Sequence, residues 1–236
     1  NWDIDANNRV YASFSIAQKE PTRNNYTDGN ADEYPKAEKL LDYELGYTYR
    51  NTWLSAGANF YYMDYKDQLV LTGELNEIGE AMARNVPDSY RMGVELMLGV
   101  KPCQWFQWDI NGTLSKNRVK NFTEKLYEDE WKNPIEVSHG NTPIAFSPDL
   151  ILNNRFSFSY RGFEAALQSQ YVSKQYMSNA RQADQTLDAY FVSNLNLAYT
   201  FKLPHVKSVT AGFTIYNLFN AKYENNGYAG SGYKIV

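Results

Sequence analysis

Residues 106–115 read FQWDINGTLS, and the order of their side chains decides the fold. Non-polar residues occupy every second position, namely Phe106, Trp108, Ile110, Gly112 and Leu114, and polar residues fill the positions between them. Successive side chains of a β-strand point to opposite faces of a sheet. A period of two over ten residues therefore predicts a strand with one non-polar face and one polar face.

The same period of two recurs along the whole chain. Nine clear runs cover residues 10–16, 41–49, 54–62, 94–98, 106–115, 150–158, 163–171, 195–201 and 209–215, and a weaker tenth run lies near 68–71. Strands in globular proteins are usually about 5–6 residues long. Membrane-spanning strands need about 9–11 residues, because they are tilted in the bilayer. Several runs reach nine residues or more, so they favour strands that cross a membrane.

The connections between the runs alternate between short and long. Short links fall at residues 50–51, 101–104, 161–162 and 202–205, and long polar stretches fall at 17–38, 72–90, 116–148 and 173–188. Tyr and Phe residues cluster beside both kinds of connection. Outer-membrane barrels combine short periplasmic turns, long extracellular loops and an aromatic girdle at each membrane interface. The sequence therefore predicts an all-β fold, an antiparallel up-and-down transmembrane β-barrel.

Composition and charge exclude several function classes. The formal net charge of -4 and the pI near 5.3 leave no basic surplus of the kind that binds nucleic acid. A mean hydropathy of -0.58 is compatible with a barrel, because lipid-facing and lumen-facing residues alternate. Two histidines, His139 and His205, and one cysteine, Cys103, form no recognisable catalytic or metal-binding motif. We therefore expect a protein that is not an enzyme and has no cofactor.

Three segments resemble TonB-dependent outer-membrane receptors. They are EKLLDYELGYTY at 38–49, MGVEL at 92–96, and TIYNLFNAKYENNGY at 214–228. The resemblance implies that residues 1–236 are the C-terminal portion of the β-barrel, with about ten strands of a 22-stranded barrel whose lumen holds a plug. It also implies that the plug domain is absent from this chain. The expected location is the bacterial outer membrane, and the expected partners are membrane lipid and TonB, which acts through the plug region.

The resemblance also implies a ligand and two sets of candidate site residues. Charged residues on the polar strand faces should point into the lumen and towards the plug: Asp42, Glu44, Glu95, Asp109 and Arg155. Loop residues with aromatic or charged side chains should contact the ligand: Arg23, Tyr26, Trp131, His139, Tyr176 and Arg181. Residues 19–23 and 35–38 resemble paired boxes of haem receptors, but no histidine lies between them. A ferric siderophore, another metal chelate or a cobalamin-type vitamin is therefore the expected ligand.

Two other functions remain open from the sequence. A passive porin or an adhesin-type barrel would share the girdles and the asymmetric loops. A soluble, glycan-binding β-sandwich would have shorter strands, with its apolar faces buried between two sheets, and the alternating loop lengths argue against it. A domain-sized plug encoded upstream of this segment would separate a receptor from a porin.

Overall fold

The fold is almost entirely antiparallel β-sheet. The computed structural model describes residues 1–27, 34–76, 78–126, 135–204, 206–230 and 233–235. The strands are β1 (Trp2–Asp3), β2 (Asn8–Lys19), β3 (Glu38–Arg50), β4 (Leu54–Leu75), β5 (Ala81–Cys103), β6 (Phe106–Leu126), β7 (Ile135–Pro143), β8 (Leu150–Tyr160), β9 (Phe163–Val172), β10 (Gln175–Tyr176), β11 (Thr186–Leu187), β12 (Tyr190–Leu203), β13 (Val206–Ile215), β14 (Tyr228–Gly230) and β15 (Tyr233–Ile235). One short helix, α1 (Arg23–Thr27), is found in the same ranges, and it lacks the length and apolar character that a membrane-spanning helix needs.

The main sheet is a meander in which long strands pair with their neighbours in sequence. Its order is β1-β2-β3-β4-β5-β6-β8-β9-β12-β13, and β7 pairs with β6 beside this path. The pairs β10-β11 and β14-β15 are separate. This arrangement agrees with the predicted up-and-down topology of part of a barrel.

The strands extend further than the sequence pattern predicted. Runs 54–62 and 68–71 belong to one strand, because β4 continues to Leu75 and β5 already begins at Ala81. The predicted long loop at 72–90 is therefore wrong. The loop predicted at 116–148 is also too long, because β6 continues to Leu126 and β7 follows it. Asp67 and Asn121 have positive φ angles of 51°, and such a residue interrupts the alternation without ending the strand.

One face of the sheet is apolar and exposed. Aromatic rings on this face contact one another across strands: the ring centroids are 4.9 Å apart for Phe14 and Tyr43, and 6.1 Å apart for Tyr62 and Tyr90. Phe14 is 57% exposed and Phe213 is 63% exposed. Apolar patches of this extent are rare on soluble monomers, so this face is suited to contact with lipid.

The apolar face also carries three polar side chains with partners of their own. Asn154 lies opposite Ile110 and accepts a hydrogen bond from Trp108 Nε1 at 2.6 Å. Ser169 lies opposite Ser193, and their hydroxyl oxygens are 2.8 Å apart. Mutual hydrogen bonds satisfy these groups, which lowers the cost of placing them on an apolar surface.

Two glycines of the family-like segments make room for tyrosine rings on the polar face. A Cβ atom on Gly46 would lie 2.0 Å from Cε1 of Tyr11, its cross-strand partner. A Cβ atom on Gly93 would lie 2.7 Å from the hydroxyl oxygen of Tyr61. Both distances are far below van der Waals contact, so packing of the two rings requires glycine at these positions.

The turns at the short-loop end have well-defined local causes. In the turn between β8 and β9, Arg161 and Gly162 have φ angles of 49° and 84°, as a two-residue hairpin of type I′ requires. In the turn between β1 and β2, the carboxylate of Asp5 accepts hydrogen bonds from the backbone N–H of Asn7 and from Asn8. These bonds hold the pKa of Asp5 below its ordinary value.

The segment NLFN at 217–220 forms the turn after β13. Asn217 and Asn220 have φ angles of 51° and 52°, a conformation that asparagine tolerates better than most residues. The side chain of Asn217 also bonds both the N–H and the carbonyl oxygen of Ala221, at 2.8 and 2.9 Å. The two asparagines therefore close this turn.

Candidate functional site

Two connecting segments fold back over the polar face of the sheet. Residues 144–149 and 173–187 make up this structure, which we call the inner shelf. Arg91, on the polar face of β5, donates a hydrogen bond to Ser147 Oγ at 3.0 Å. The N–H of Ser115 donates to the carbonyl oxygen of Asp149 at 2.8 Å. The inner shelf therefore lies against the polar wall at the long-loop end of the sheet.

Asn179 fastens the inner shelf to strand β4. Its Nδ2 donates to the carbonyl oxygen of Leu71 at 2.8 Å, and its Oδ1 accepts from the N–H of Ala145 at 2.8 Å. The side chain is almost fully buried, with 3% of its surface exposed. One amide thus joins three segments that are far apart in sequence, and the loss of its bond to Ala145 would leave a buried backbone N–H unpaired.

Apolar packing reinforces this attachment. Met177 and Leu187 are fully buried and pack with Phe146 inside the inner shelf. Ile144 packs with three valines at the ends of the long strands: Val70, Val86 and Val119. The inner shelf therefore has small hydrophobic cores of its own and is folded against the wall.

A concavity of about 300 Å³ lies beneath the inner shelf. Phe146, Ser147 and Pro148 border it on the shelf side. The sheet contributes polar and charged side chains: Glu44, Asn59, Tyr61, Arg91, Glu95, Ser115 and Asn117. Sequence reasoning identified Glu44 and Glu95 here but missed Tyr61 and Arg91. Tyr61 and Arg91 lie on the polar face. The alternation of side chains that predicted the position of Glu95 predicts theirs as well.

A second concavity, of about 520 Å³, lies further along the polar wall. A ladder of amides crosses three strands here: Asn153 donates to Asn111 at 3.0 Å, and Gln170 donates to Asn153 at 3.0 Å. Asp109 accepts from Gln107 at 2.9 Å, and Arg155 donates to Ser157 Oγ at 3.1 Å. This concavity offers many hydrogen-bonding groups that point away from the apolar face.

All five predicted lumen residues lie on the polar face. Asp42 and Glu44 alternate with the apolar-face residues of β3, and Glu95, Asp109 and Arg155 occupy equivalent positions on β5, β6 and β8. Glu95 accepts a long hydrogen bond of 3.4 Å from Asn59. One oxygen of Asp42 is buried and has no hydrogen-bond partner in the described part of the chain.

The predicted ligand-contact residues lie on separate segments. Arg23 and Tyr26 lie on α1. Asn24 of the same helix donates a hydrogen bond of 2.7 Å to Glu80. His139 lies on β7, and its Nε2 is 2.8 Å from Glu124 Oε2. Tyr176 and Arg181 both belong to the inner shelf, where Tyr176 is half-buried and Arg181 is exposed. Trp131 lies outside the described residues, and the other five predicted contacts are divided among three segments: α1, β7 and the inner shelf.

The described ranges provide no ready-made metal site. Within them, no three His, Cys, Asp or Glu side chains come close enough together to hold a metal ion. Cys103 is a free, partly exposed thiol near the turn between β5 and β6. His205 lies outside the described residues.

The family follows from comparison with known proteins. The family model described as TonB dependent receptor-like, beta-barrel matches residues 1–218. The chain belongs to the TonB-dependent receptor β-barrel family. It is therefore part of a bacterial outer-membrane barrel of a receptor family, and the family is not one of enzymes. The apolar face of the sheet contacts lipid, and the polar face with the inner shelf lines the lumen.

Individual relatives resemble this chain over part of their own length. The pesticin receptor of Yersinia enterocolitica is 25% identical over 225 residues, which are 93% of this chain and 30% of the relative. The ferric yersiniabactin uptake receptor of Yersinia pestis has a TM-score of 0.70 at 20% identity, covering 98% of this chain and 33% of that one. A siderophore receptor of Acinetobacter baumannii has a TM-score of 0.72 at 16% identity, with coverages of 97% and 32%. The chain thus spans about a third of the proteins that it matches.

Proposed function

We propose that the receptor containing this chain binds a ferric siderophore, or a similar metal chelate, and imports it actively with energy from TonB. The observation that carries the proposal is the inner shelf, which is folded against the lumen wall at the extracellular end. It carries the half-buried Tyr176 and the exposed Arg181, and it borders the concavity that Arg91 lines. Aromatic and guanidinium groups suit a bulky chelate that has aromatic rings or anionic groups.

The relatives support the same ligand class. The names of two of them refer to siderophores or to the uptake of a ferric siderophore, and their folds match this chain over almost its entire length. The remaining predicted contacts, Arg23, Tyr26, Trp131 and His139, belong to extracellular segments and complete the proposed binding surface. A cobalamin-type vitamin is the alternative ligand within the same mode of transport.

We further propose that the lumen charges hold a plug domain contributed by the rest of the receptor. Asp42, Glu44, Glu95, Asp109 and Arg155 would form ion pairs and hydrogen bonds with the plug, because all five lie on the polar face of the sheet. Pairs near a water-filled surface are individually weak, so they can rearrange when TonB pulls on the plug. Residues 1–236 would then supply the C-terminal part of the barrel alone.

Iron uptake by cells that express the intact receptor tests the proposal. Uptake of radiolabelled ferric yersiniabactin and of a ferric catecholate should depend on the receptor and should disappear in a strain without TonB. Replacing both Tyr176 and Arg181 with Ala should weaken binding of the imported chelate. The matched control is Asp184→Ala, an exposed change in the same segment.

The porin alternative gives a different result in the same experiment. A passive porin would admit small solutes without TonB and would show no saturable binding of any ferric chelate. If the receptor bound cobalamin and neither ferric chelate, the imported ligand would be a vitamin and not a siderophore. The proposal of TonB-dependent transport would then still stand.

A further inference from the structure

The dipeptide Asn-Gly occurs twice in the chain, in two different structural settings. Asn111-Gly112 lies within β6, and Asn226-Gly227 lies in the segment between β13 and β14. The side chain of an asparagine can react with the peptide nitrogen of the next residue. Glycine in that next position hinders the reaction least, because it has no Cβ atom and its backbone rotates freely. The two sites can therefore be compared for the same spontaneous reaction.

The side chain of Asn226 is folded back towards the peptide nitrogen of Gly227. The N–H of Gly227 donates a hydrogen bond of 2.9 Å to Oδ1 of Asn226. The carbon Cγ of Asn226 is one covalent bond away from Oδ1, so it lies beside the nitrogen that would attack it. Asn226 is also exposed, and water therefore reaches the reacting groups.

The backbone around Asn226 is not held in a helix or a strand. Residues 221–227 belong to neither kind of element. Strand β13 starts at the short turn after β12 and ends at Ile215, so this segment lies at the long-loop end of the wall. Exposed segments of this kind change conformation at little cost in free energy. The rotation that closes a ring between side chain and backbone is therefore accessible at Asn226.

Strand β6 holds the other Asn-Gly pair in an unreactive conformation. Gly112 is paired with Leu96 of β5 on one side and with Leu152 of β8 on the other. The side chain of Asn111 accepts a hydrogen bond of 3.0 Å from Nδ2 of Asn153. Ring closure at Asn111 would require β6 to separate locally from its neighbours, and strands in the middle of a sheet open least often.

We propose that Asn226 is a site of spontaneous deamidation in the folded receptor and that Asn111 is protected from it. Hydroxide takes the proton of the Gly227 nitrogen, the nitrogen attacks Cγ of Asn226, and the Cγ–Nδ2 bond breaks, so that ammonia leaves. One water molecule then opens the resulting succinimide ring to aspartate or to isoaspartate. The reaction consumes one water and releases one ammonia, and it does not depend on which ligand the receptor imports.

Deamidation changes both the charge and the backbone in front of β14. A carboxylate replaces a neutral amide, so the formal net charge becomes one unit more negative than -4. In the isoaspartate product the main chain runs through the former side chain, which lengthens it by one carbon atom just before Tyr228, the first residue of β14. The long-loop end of the receptor therefore acquires a second chemical form as the protein ages.

Peptide mass spectrometry of the intact receptor in detergent tests this proposal. The receptor is kept in mildly alkaline buffer made with water that contains heavy oxygen, and it is then digested in ordinary water. The peptide with Asn226 should exchange NH₂ for labelled OH and should contain isoaspartate. Conversion at Asn111 should be slower by a factor of about 100 or more, because β6 must first open. Asn226→Gln should abolish the conversion, and the matched control Asn225→Gln, an exposed neighbour, should leave it unchanged.

The same experiment on the receptor unfolded in urea separates the fold from the local sequence. Without strand pairing, the rates at Asn111 and Asn226 should become similar. A large difference that persists after unfolding would overturn the protection by β6, and equal rates in the folded receptor would overturn the proposal as a whole. Aspartate without any isoaspartate at position 226 would mean direct hydrolysis of the amide and would exclude attack by the Gly227 nitrogen.

Discussion

The ring of Tyr11 lies across Gly46, and this contact explains a glycine in the segment that resembles the receptor family. The sequence alone showed that Tyr-Glu-Leu-Gly resembles a family pattern, but it gave no reason for the glycine. The reason is the 2.0 Å gap that a Cβ atom at Gly46 would leave to the tyrosine ring. The glycine therefore serves packing across strands on the lumen face.

Replacing Gly46 with Ala should destabilise the barrel. The added methyl group forces the Tyr11 ring out of its place, and overpacking of this kind costs about 1–3 kcal/mol. Urea unfolding of the intact receptor in detergent measures the change. Gly212→Ala is the control, because the nearest atom to its Cβ would be at an ordinary distance of 3.8 Å. Equal effects of the two substitutions would contradict the packing explanation.

Asp5 should make stability depend on pH in the acid range. Its hydrogen bonds lower its pKa in the folded state, so its contribution is present above the unfolded value of about 3.9 and is lost as the pH falls through the folded value. The free energy of unfolding of the intact receptor should therefore fall more steeply below about pH 4 than that of the Asp5→Ala variant. Parallel pH profiles for the two proteins would refute this role.

The sequence predicted charged residues of the lumen wall better than it predicted contacts between segments. The alternation of polar and non-polar residues is enough to place Asp42, Glu44 and Glu95 on the polar face. The face to which a strand side chain points depends only on its position along that strand. Asn179 could not be found in this way. Its partners lie 34 and 108 residues away, and no local pattern records such contacts.

At the scale of elements, the long strands extend well past the aromatic residues of the outer border. The sequence located the nine spanning runs, since a lipid face and a lumen face impose strict alternation. Beyond the membrane both faces meet water, so alternation is no longer required and the pattern fades. For this reason β4, β5 and β6 were predicted too short, and the loop between β4 and β5 and the loop after β6 were predicted too long.

The register of β6 can be tested with two adjacent positions. Ile110 is on the lipid face and Asn111 is on the lumen face. Ile110→Arg should cost about 2–4 kcal/mol, because a cation then faces the middle of the bilayer, while Asn111→Arg faces water and should cost little. A refolding titration of the intact receptor into lipid vesicles compares them. Equal destabilisation by the two substitutions would mean that the side chains of β6 are assigned to the wrong faces of the sheet.

Removing the side chain of Asn179 should release the inner shelf while leaving the sheet folded. Asn179→Ala leaves the buried N–H of Ala145 unpaired, at about 1–3 kcal/mol, and also removes the part-buried bond to the carbonyl oxygen of Leu71. Hydrogen exchange of the intact receptor should become faster at Met177 and Leu187 and stay unchanged in β8 and β9. Asp184→Ala is the control. Unchanged exchange at Met177 would show that Asn179 is dispensable.

At the scale of the whole molecule, the sheet has two open edges. Its outermost long strands are β2, extended only by the two residues of β1, and β13. Unpaired backbone groups at an edge are not tolerated in a bilayer and promote association in water. In the receptor, the remaining strands of the barrel would pair with both edges.

The 236-residue chain by itself should therefore associate in solution. Light scattering without detergent should give particles much larger than a monomer of 27.2 kDa, and detergent should reduce their size by covering the apolar face. The intact receptor in detergent, whose edges are paired, serves as the control. A stable monomer with rapidly exchanging amides on β13 would contradict the assignment of this chain to part of a barrel.

Unequal strand lengths give the outer rim of this wall an uneven height. Strands β4, β5 and β6 have 22, 23 and 21 residues, while β8 and β9 have 11 and 10. At about 3.3 Å per residue, the taller strands reach about 35 Å further along their own direction. The inner shelf, which precedes β8 and follows β9, covers the polar face at this lower part of the rim. A ligand that approaches this part of the wall from outside would therefore meet a high barrier over β4 to β6 and a lower rim over β8 and β9.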